Sequence, residues 1–291
     1  MKKSPIRYIA GGVVLAGMAL ACVFFVRTYI CPTPSPSLSE SSTSERSGST
    51  SSEVTSTTEP STTPPSTTTP PATTPPTTPP PSLYDLFPTY QVYGTLTQAS
   101  QNYPAGKTFA IKNGKHETFY YAYDDNQTII KLPWDSVSVL SPPKKSLPKV
   151  NKATIEKAAN EWGFESKTPF LVWTNLYRLE TYVFARQGGR WSLTHRMDCA
   201  SGDTAHPTPL GRYEVEGKYA TIGKAGEYVC KYATGFYGNY LFHSVIYDAL
   251  GKNITDPRLS AHISKGCIRL SPANAKWLYD NLPLGTAVYI Q

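Results

Sequence analysis

The chain is poor in the residues that assemble metal centres. It has five cysteines and five histidines among 291 residues, with no His-Glu-x-x-His and no paired Cys-x-x-Cys, so a zinc site of either kind is not expected. No glycine-rich phosphate loop precedes a helix, and no basic run is interleaved with aromatics. A net charge of +7 therefore points away from nucleic acid and toward a polyanionic surface. Neither a metal nor any other cofactor is expected. Long apolar runs are also scarce. The exception is Tyr8 to Val26, about 19 residues that at ~1.5 Å per residue just span a ~30 Å hydrocarbon core. It reads as one transmembrane helix, with a cleaved signal peptide or a lipid anchor on Cys22 as alternatives. Lys2, Lys3 and Arg7 precede it and Arg27 comes after it, which places the N-terminus in the cytoplasm and the rest outside.

From Pro32 to Ser82 the composition collapses to Ser, Thr and Pro with a few Glu. Such a segment has too little apolar surface to offset its ordering entropy and is expected to be disordered. In extended form its 50 or so residues reach up to ~150 Å at ~3.1 Å each, a spacer or a passive linker. Residues 83–143 then turn to Tyr, Phe, Val and Thr. Short strands are expected at Gln91–Thr97, Lys107–Lys112, Thr118–Tyr123, Thr128–Leu132 and Ser136–Leu140, separated by turns that include Asn113-Gly114-Lys115. The strand rhythm is similar to a bacterial SH3-like domain, serving either to bind a surface polymer or position a substrate, or to pack on the C-terminal domain. Residues 144–166 form a connecting segment whose helix, Asn151 to Trp162, places Ile155, Ala158, Ala159 and Trp162 on one face. Residues 167–291 read as mainly β. A meander runs through Leu171–Leu176, Thr181–Arg186 and Trp191–Met197, further strands lie at Tyr213–Val215 and Asn239–Phe242, and a helix and the strand Ala287–Ile290 close the chain. Lys218 to Gly238 is left as a lid or an insertion.

Cys22 and Cys31 belong to the apolar segment and its edge, which leaves Cys199, Cys230 and Cys267. Three thiols cannot all pair, so one is free, and an exported free thiol invites a catalytic explanation. Cys267 stands in Ser264-Lys265-Gly266-Cys267-Ile268-Arg269-Leu270, ahead of the helix start Ser271-Pro272, where the positive helix end would favour thiolate. A thiol also needs a base. His116, His195, His206 and His262 all offer imidazoles, and His243 stands directly after the apolar strand Tyr240-Leu241-Phe242. Cys199 and Cys230 read as two small buried residues or as a disulfide.

These motifs together resemble the L,D-transpeptidase catalytic domain, the YkuD family. His243-Ser244 and Ser264-x-Gly266-Cys267-Ile268-Arg269 carry its signature. Ser201-Gly202 and Thr208-Pro209-Leu210-Gly211-Arg212-Tyr213 are similar to its upstream segments, and the closing helix and strand are similar to its C-terminal part. The resemblance implies a β-sandwich with a few helices and a cysteine-dependent acyltransferase. Cys267 would be the nucleophile and His243 its base, with the Ser244 carbonyl orienting the ring and amides around Gly266 and Cys267 holding the oxyanion. Arg269 would meet an anionic substrate group, and Ser264, Lys265 and Tyr240 would contact substrate. The expected partners are peptidoglycan stem peptides, a donor tetrapeptide and an acceptor amine, joined in a 3→3 cross-link through a thioester; water as acceptor gives carboxypeptidase action. Carbapenem-type β-lactams would acylate the same thiol. Two departures stand out: Lys265 where the family commonly has histidine, and Asn274 for aspartate. They leave open a catalytically inactive wall scaffold, and a thiol hydrolase of another wall bond is a third reading.

Overall fold

The structure is a computed structural model that describes residues 80–115, 117–143 and 146–291. The expected transmembrane segment, nearly all of the Ser/Thr/Pro segment, and His116 lie outside the described residues. Among the described residues no helix is long and apolar enough to cross a membrane.

The described chain opens on a four-residue helix, α1 (Leu83–Leu86), which the sequence did not announce. Ser82 and Asp85 cap it reciprocally, Asp85 N–H to Ser82 Oγ at 3.2 Å and Ser82 N–H to Asp85 Oδ2 at 3.0 Å. Next come five strands: β1 (Tyr93–Leu96), β2 (Thr108–Lys115), β3 (Phe119–Tyr123), β4 (Ile129–Pro133) and β5 (Val137–Leu140). They form one sheet in the order β4-β3-β2-β1-β5, with a 3-10 turn at Trp134–Ser136 between its two edge strands. Alternation sets the buried face: Phe109 and Ile111 on β2, Tyr120 and Ala122 on β3, and Leu132 on β4.

The expected turn at Asn113-Gly114-Lys115 is instead strand. β2 runs on through it by way of an irregularity between Ile111 and Asn113. Gly114 makes this close approach possible, because a Cβ there would lie 2.5 Å from the Ala205 carbonyl oxygen and 2.7 Å from the Trp134 ring.

Helix α2 (Lys152–Glu161) is capped by Asn151, whose Oδ1 accepts from Thr154 N–H at 2.9 Å, and is stopped by Gly163 at φ +65°. It buries Ile155, Ala158 and Ala159 in a core with Leu171, Trp173, Tyr182, Phe184 and Trp191. The meander is β6 (Phe170–Asn175), β7 (Glu180–Gln187) and β8 (Arg190–Gly202), with Gln187 and Arg190 paired across the Gly188-Gly189 turn.

The later strands are β9 (Gly211–Glu214), β10 (Gly217–Lys224), β11 (Tyr228–Tyr237), β12 (Tyr240–Ser244), β13 (Ile246–Tyr247), β14 (Ile254–Asp256), β15 (His262–Ser264), β16 (Ile268–Leu270) and β17 (Ala287–Ile290). The resulting mainly β sheet has the order β14-β13-β11-β12-β16-β8-β7-β6-β17-β9. Helix α3 (Pro272–Asn281), with Ser271 as its cap, packs on β11 and β12. Two expectations change here. Lys218 to Gly238, left open as a lid or an insertion, is regular structure: the β10–β11 hairpin, with β11 an interior strand. Cys267 does not abut a helix start, because β16 separates it from α3.

The smaller sheet shares its core with the larger one. Val92, Leu96, Phe109 and Ile111 belong to the same buried cluster as Val172, Leu176, Phe236 and Phe242. Polar contacts stitch the junction too: Asn175 Nδ2 donates to the Pro88 carbonyl at 3.1 Å, and Gln291 Nε2 to that of Phe87 at 2.8 Å.

Candidate active site

Parallel pairing of β12 with β16 sets Phe242, His243 and Ser244 beside Ile268, Arg269 and Leu270. Extending that register by one residue puts Cys267 beside Leu241. His243 then lies two residues further along the same face, about 8 Å away at Cα from strand spacing and rise. The two residues the sequence nominated thus lie at neighbouring positions of adjacent strands, His243 within β12 and Cys267 in the turn that leads into β16.

His243 is 6% exposed. Its Nδ1 lies 2.6 Å from the Ser244 carbonyl oxygen. A carbonyl can only accept, so Nδ1 carries the proton and Nε2 is left as the acceptor. Burial takes this imidazole down to about 4, and the Arg269 charge pushes the same way against the Ser244 hydrogen bond. At neutral pH the ring is an uncharged base. Ser244 itself is held at both ends, its hydroxyl donating to the Val245 carbonyl and accepting from Lys231 N–H, each at 2.8 Å.

The expected thiolate is corrected. Burial pushes the Cys267 thiol up, and a backbone hydrogen bond at Leu241 offsets only part of it. The thiol faces the Asn239 carbonyl at 3.6 Å. At rest the two are thus S–H and neutral imidazole. Cys199 and Cys230 are free and buried, with no disulfide between them, and burial pushes them up to about 12 and about 11.

The turn before the thiol is tied from within. Ser264 Oγ donates to the Cys267 carbonyl at 2.6 Å and accepts from Gly266 N–H at 3.1 Å. Ser264, expected on the substrate, therefore shapes the turn, and the Gly266 amide, expected at the oxyanion, is already engaged. Gly266 sits at φ +104°, and a Cβ would come 2.4 Å from the Tyr240 ring. From the other side Thr208 Oγ1 donates to the Gly266 carbonyl at 2.8 Å and accepts from Gly202 N–H at 2.9 Å. Two stretches far apart in sequence, Gly202 to Thr208 and Ser264 to Cys267, thus converge on one turn.

Arg269, expected to meet substrate, is buried with Nη1 2.8 Å from Asp256 Oδ2. Its Nε has no hydrogen-bond partner among the described residues. His262 stacks on Tyr90 with ring centroids 4.1 Å apart and contacts Ser201 Oγ at 2.7 Å, and His195 packs on Trp277. Among the described residues no group of His, Cys, Asp and Glu could hold a metal ion.

A cleft of about 690 Å³ adjoins the turn. Tyr237, Gly238, Asn239, Tyr240, Lys265 and His206 line it from the larger sheet and its loops; Asn113, Gly114, Lys115, Glu117 and Tyr121 line it from the smaller. Cys267 and His243 are not in its walls, but Asn239, whose carbonyl the thiol faces, is. Lys265 and Tyr240 stand in those walls. His206, Asn239 and the residues of the smaller sheet were missed, because only tertiary structure brings them beside the turn.

YciB of Bacillus subtilis (strain 168), a candidate L,D-transpeptidase by name, is 30% identical over 128 residues, which span 41% of this chain and 65% of that protein. Among solved structures, a fused Zn-dependent amidase/peptidase/peptidoglycan-binding domain-containing protein from Clostridium acetobutylicum ATCC 824 is 39% identical, covering 48% of this chain and 59% of that one at a TM-score of 0.42. An L,D-transpeptidase from Stackebrandtia nassauensis is 21% identical, covering 48% and 67% at a TM-score of 0.35. The chain thus spans just under two thirds of the curated relative it matches. Residues 169–290, which hold His243, Cys267 and the turn between β15 and β16, match the model of YkuD, the L,D-transpeptidase catalytic domain.

Proposed function

We propose that the chain is a cysteine-dependent acyltransferase of the cell wall, an L,D-transpeptidase that joins peptidoglycan stem peptides in 3→3 cross-links. One observation carries the reading: a neutral imidazole, its Nδ1 fixed by the Ser244 carbonyl, on the strand paired with the one that a half-buried thiol immediately precedes. The match of residues 169–290 to the catalytic-domain model supports it.

In the first half-reaction Cys267 Sγ attacks the carbonyl of the third stem residue while His243 Nε2 takes the thiol proton. The C–N bond to the terminal D-amino acid breaks, and the imidazolium returns its proton to the departing amine. The thioester is then released to an amine of a second stem, or to water, which would make the enzyme a carboxypeptidase. Lys265 does not replace the imidazole, since an ammonium has no acceptor. The segment before residue 80 would tether this unit to the membrane by one helix and hold it in the wall.

The test uses the full-length chain. Intact-mass measurement with a carbapenem should show one covalent adduct, absent in Cys267→Ala, and His243→Gln should slow its formation by about 10²-fold or more, the usual weight of a positioned base. No adduct on the unaltered chain would leave the scaffold reading in its place. Tetrapeptide muropeptides then separate cross-linking from trimming.

A further inference from the structure

The pair formed by Arg269 and Asp256 lies beside the base and takes no part in the chemistry proposed above. The parallel register of β12 and β16 sets Arg269 opposite His243, and the antiparallel register of β16 and β8 sets it opposite Ala200. Across the strands the arginine thus has an imidazole on one side and a methyl group on the other. Its counter-charge comes from β14, at the edge of the sheet, where Asp256 Oδ2 stands 2.8 Å from Arg269 Nη1. The arginine side chain is 5% exposed, and its Nε has no hydrogen-bond partner among the described residues. A buried ion pair with an unmet donor is a poor source of stability, because desolvation of the two charges offsets their attraction. Its placement calls for another reason.

That reason is found at the imidazole. The other titratable groups on the elements around the ring are uncharged or engaged. Burial keeps the thiols of Cys267 in the turn and Cys230 on β11 protonated. Lys231 of β11 sets its ammonium over the Tyr247 ring, 4.2 Å from the centroid. Helix α3, which packs on β12, pairs its Lys276 with its own Asp280 and lays it over the Tyr232 ring. Arg269 is left as the cation that acts on His243, adding to burial against the Ser244 hydrogen bond. We propose that Arg269 is a positioning residue for the base: held by Asp256 at the neighbouring strand position, its charge denies the His243 ring a second proton and so keeps Nε2 an acceptor into acid medium. The arginine thus acts through His243 rather than on substrate. This rests on the acyltransferase reading, in which the ring must meet the thiol uncharged. Asp256 suits the task, because Arg258, with Nε 2.8 Å from Oδ1, and then Arg269 hold its carboxylate well below the usual range. The lock stays charged while the ring itself titrates.

The experiment follows the rate of carbapenem adduct formation on the full-length chain, by intact mass, as the medium is acidified. The unaltered chain should lose rate near pH 4. Arg269→Met removes the charge and keeps most of the bulk, so the ring should take its proton earlier and the acid limb should rise by about one pH unit, the low end of a close charge's effect. Arg269→Lys keeps the charge and should hold the limb near that of the unaltered chain. If Arg269→Met does not fold, Asp256→Asn carries the test: it strips the counter-charge, and the limb should fall instead. A merely structural pair would lower the rate at every pH and leave the limb in place in each variant. That result, or a limb that Asp256→Asn moves upward, would overturn the proposal while leaving the acyltransferase intact. Absence of any adduct on the unaltered chain would overturn both together.

Discussion

At the scale of single residues, the ionisation of His243 and Cys267 governs what can be measured. Burial holds the imidazole near 4, below the ordinary 6.5, so the acid limb of acylation should fall near pH 4; a limb centred at 6.5 would mean that the ring is solvated. The same shift enters stability. Between pH 6.5 and 4 the unfolded chain takes up a proton that the folded chain refuses, so stability falls through that window by about 3 kcal/mol as the medium is acidified, and His243 adds no slope above it. His243→Gln should flatten the slope, as measured by denaturant midpoints across pH. Gly266→Ala should abolish adduct formation, because its methyl would enter the Tyr240 ring at a positive φ. Cys267 and His243 could be singled out in the sequence as a candidate pair, since their motifs are local. Their protonation states could not, because the argument from the helix end supposed a helix where β16 runs and could not weigh burial.

At the scale of elements, legibility tracked periodicity. The helix Asn151–Trp162 came through as α2 with its cap and its glycine stop, and the meander came through because Val, Phe and Trp alternate around a Gly-Gly turn. The β10–β11 hairpin did not. Its Gly and Tyr content resembled a loop, and only pairing with β12 and β13 makes β11 an interior strand. β2 was cut short for a similar reason: Asn-Gly reads as a turn until Gly114 is seen to admit the Ala205 carbonyl. Thr208 shows how an element end serves the site. Thr208→Val removes the bridge from Gly202 N–H to the Gly266 carbonyl and leaves both buried, so it should cost about 1–3 kcal/mol. Adduct formation should slow in proportion beyond the loss of folded protein, a split that thermal melts and intact-mass kinetics can separate.

At the scale of the whole molecule, the boundary expected near residue 143 is crossed by a continuous core. A chain starting at residue 146 would expose the faces that Val92, Phe109 and Ile111 cover and would leave Tyr240 Oη without Asn113. It should aggregate or melt well below a chain starting at residue 80, by calorimetry or light scattering; equal melting would show that the smaller sheet is dispensable. Composition did announce a second β unit, and packing on the C-terminal domain was one of its two expected roles; which residues make the junction was not legible, because those that join the sheets are ordinary apolar and amide side chains.

A sulfur kept as S–H has a consequence for lifetime. Peroxide and metal-catalysed oxidation act on the anion, so a thiol that burial holds protonated is spared, a gain in durability wherever no reducing pool is at hand. Sulfenic acid formation at Cys267 should be slow near neutrality and accelerate as the medium is made alkaline.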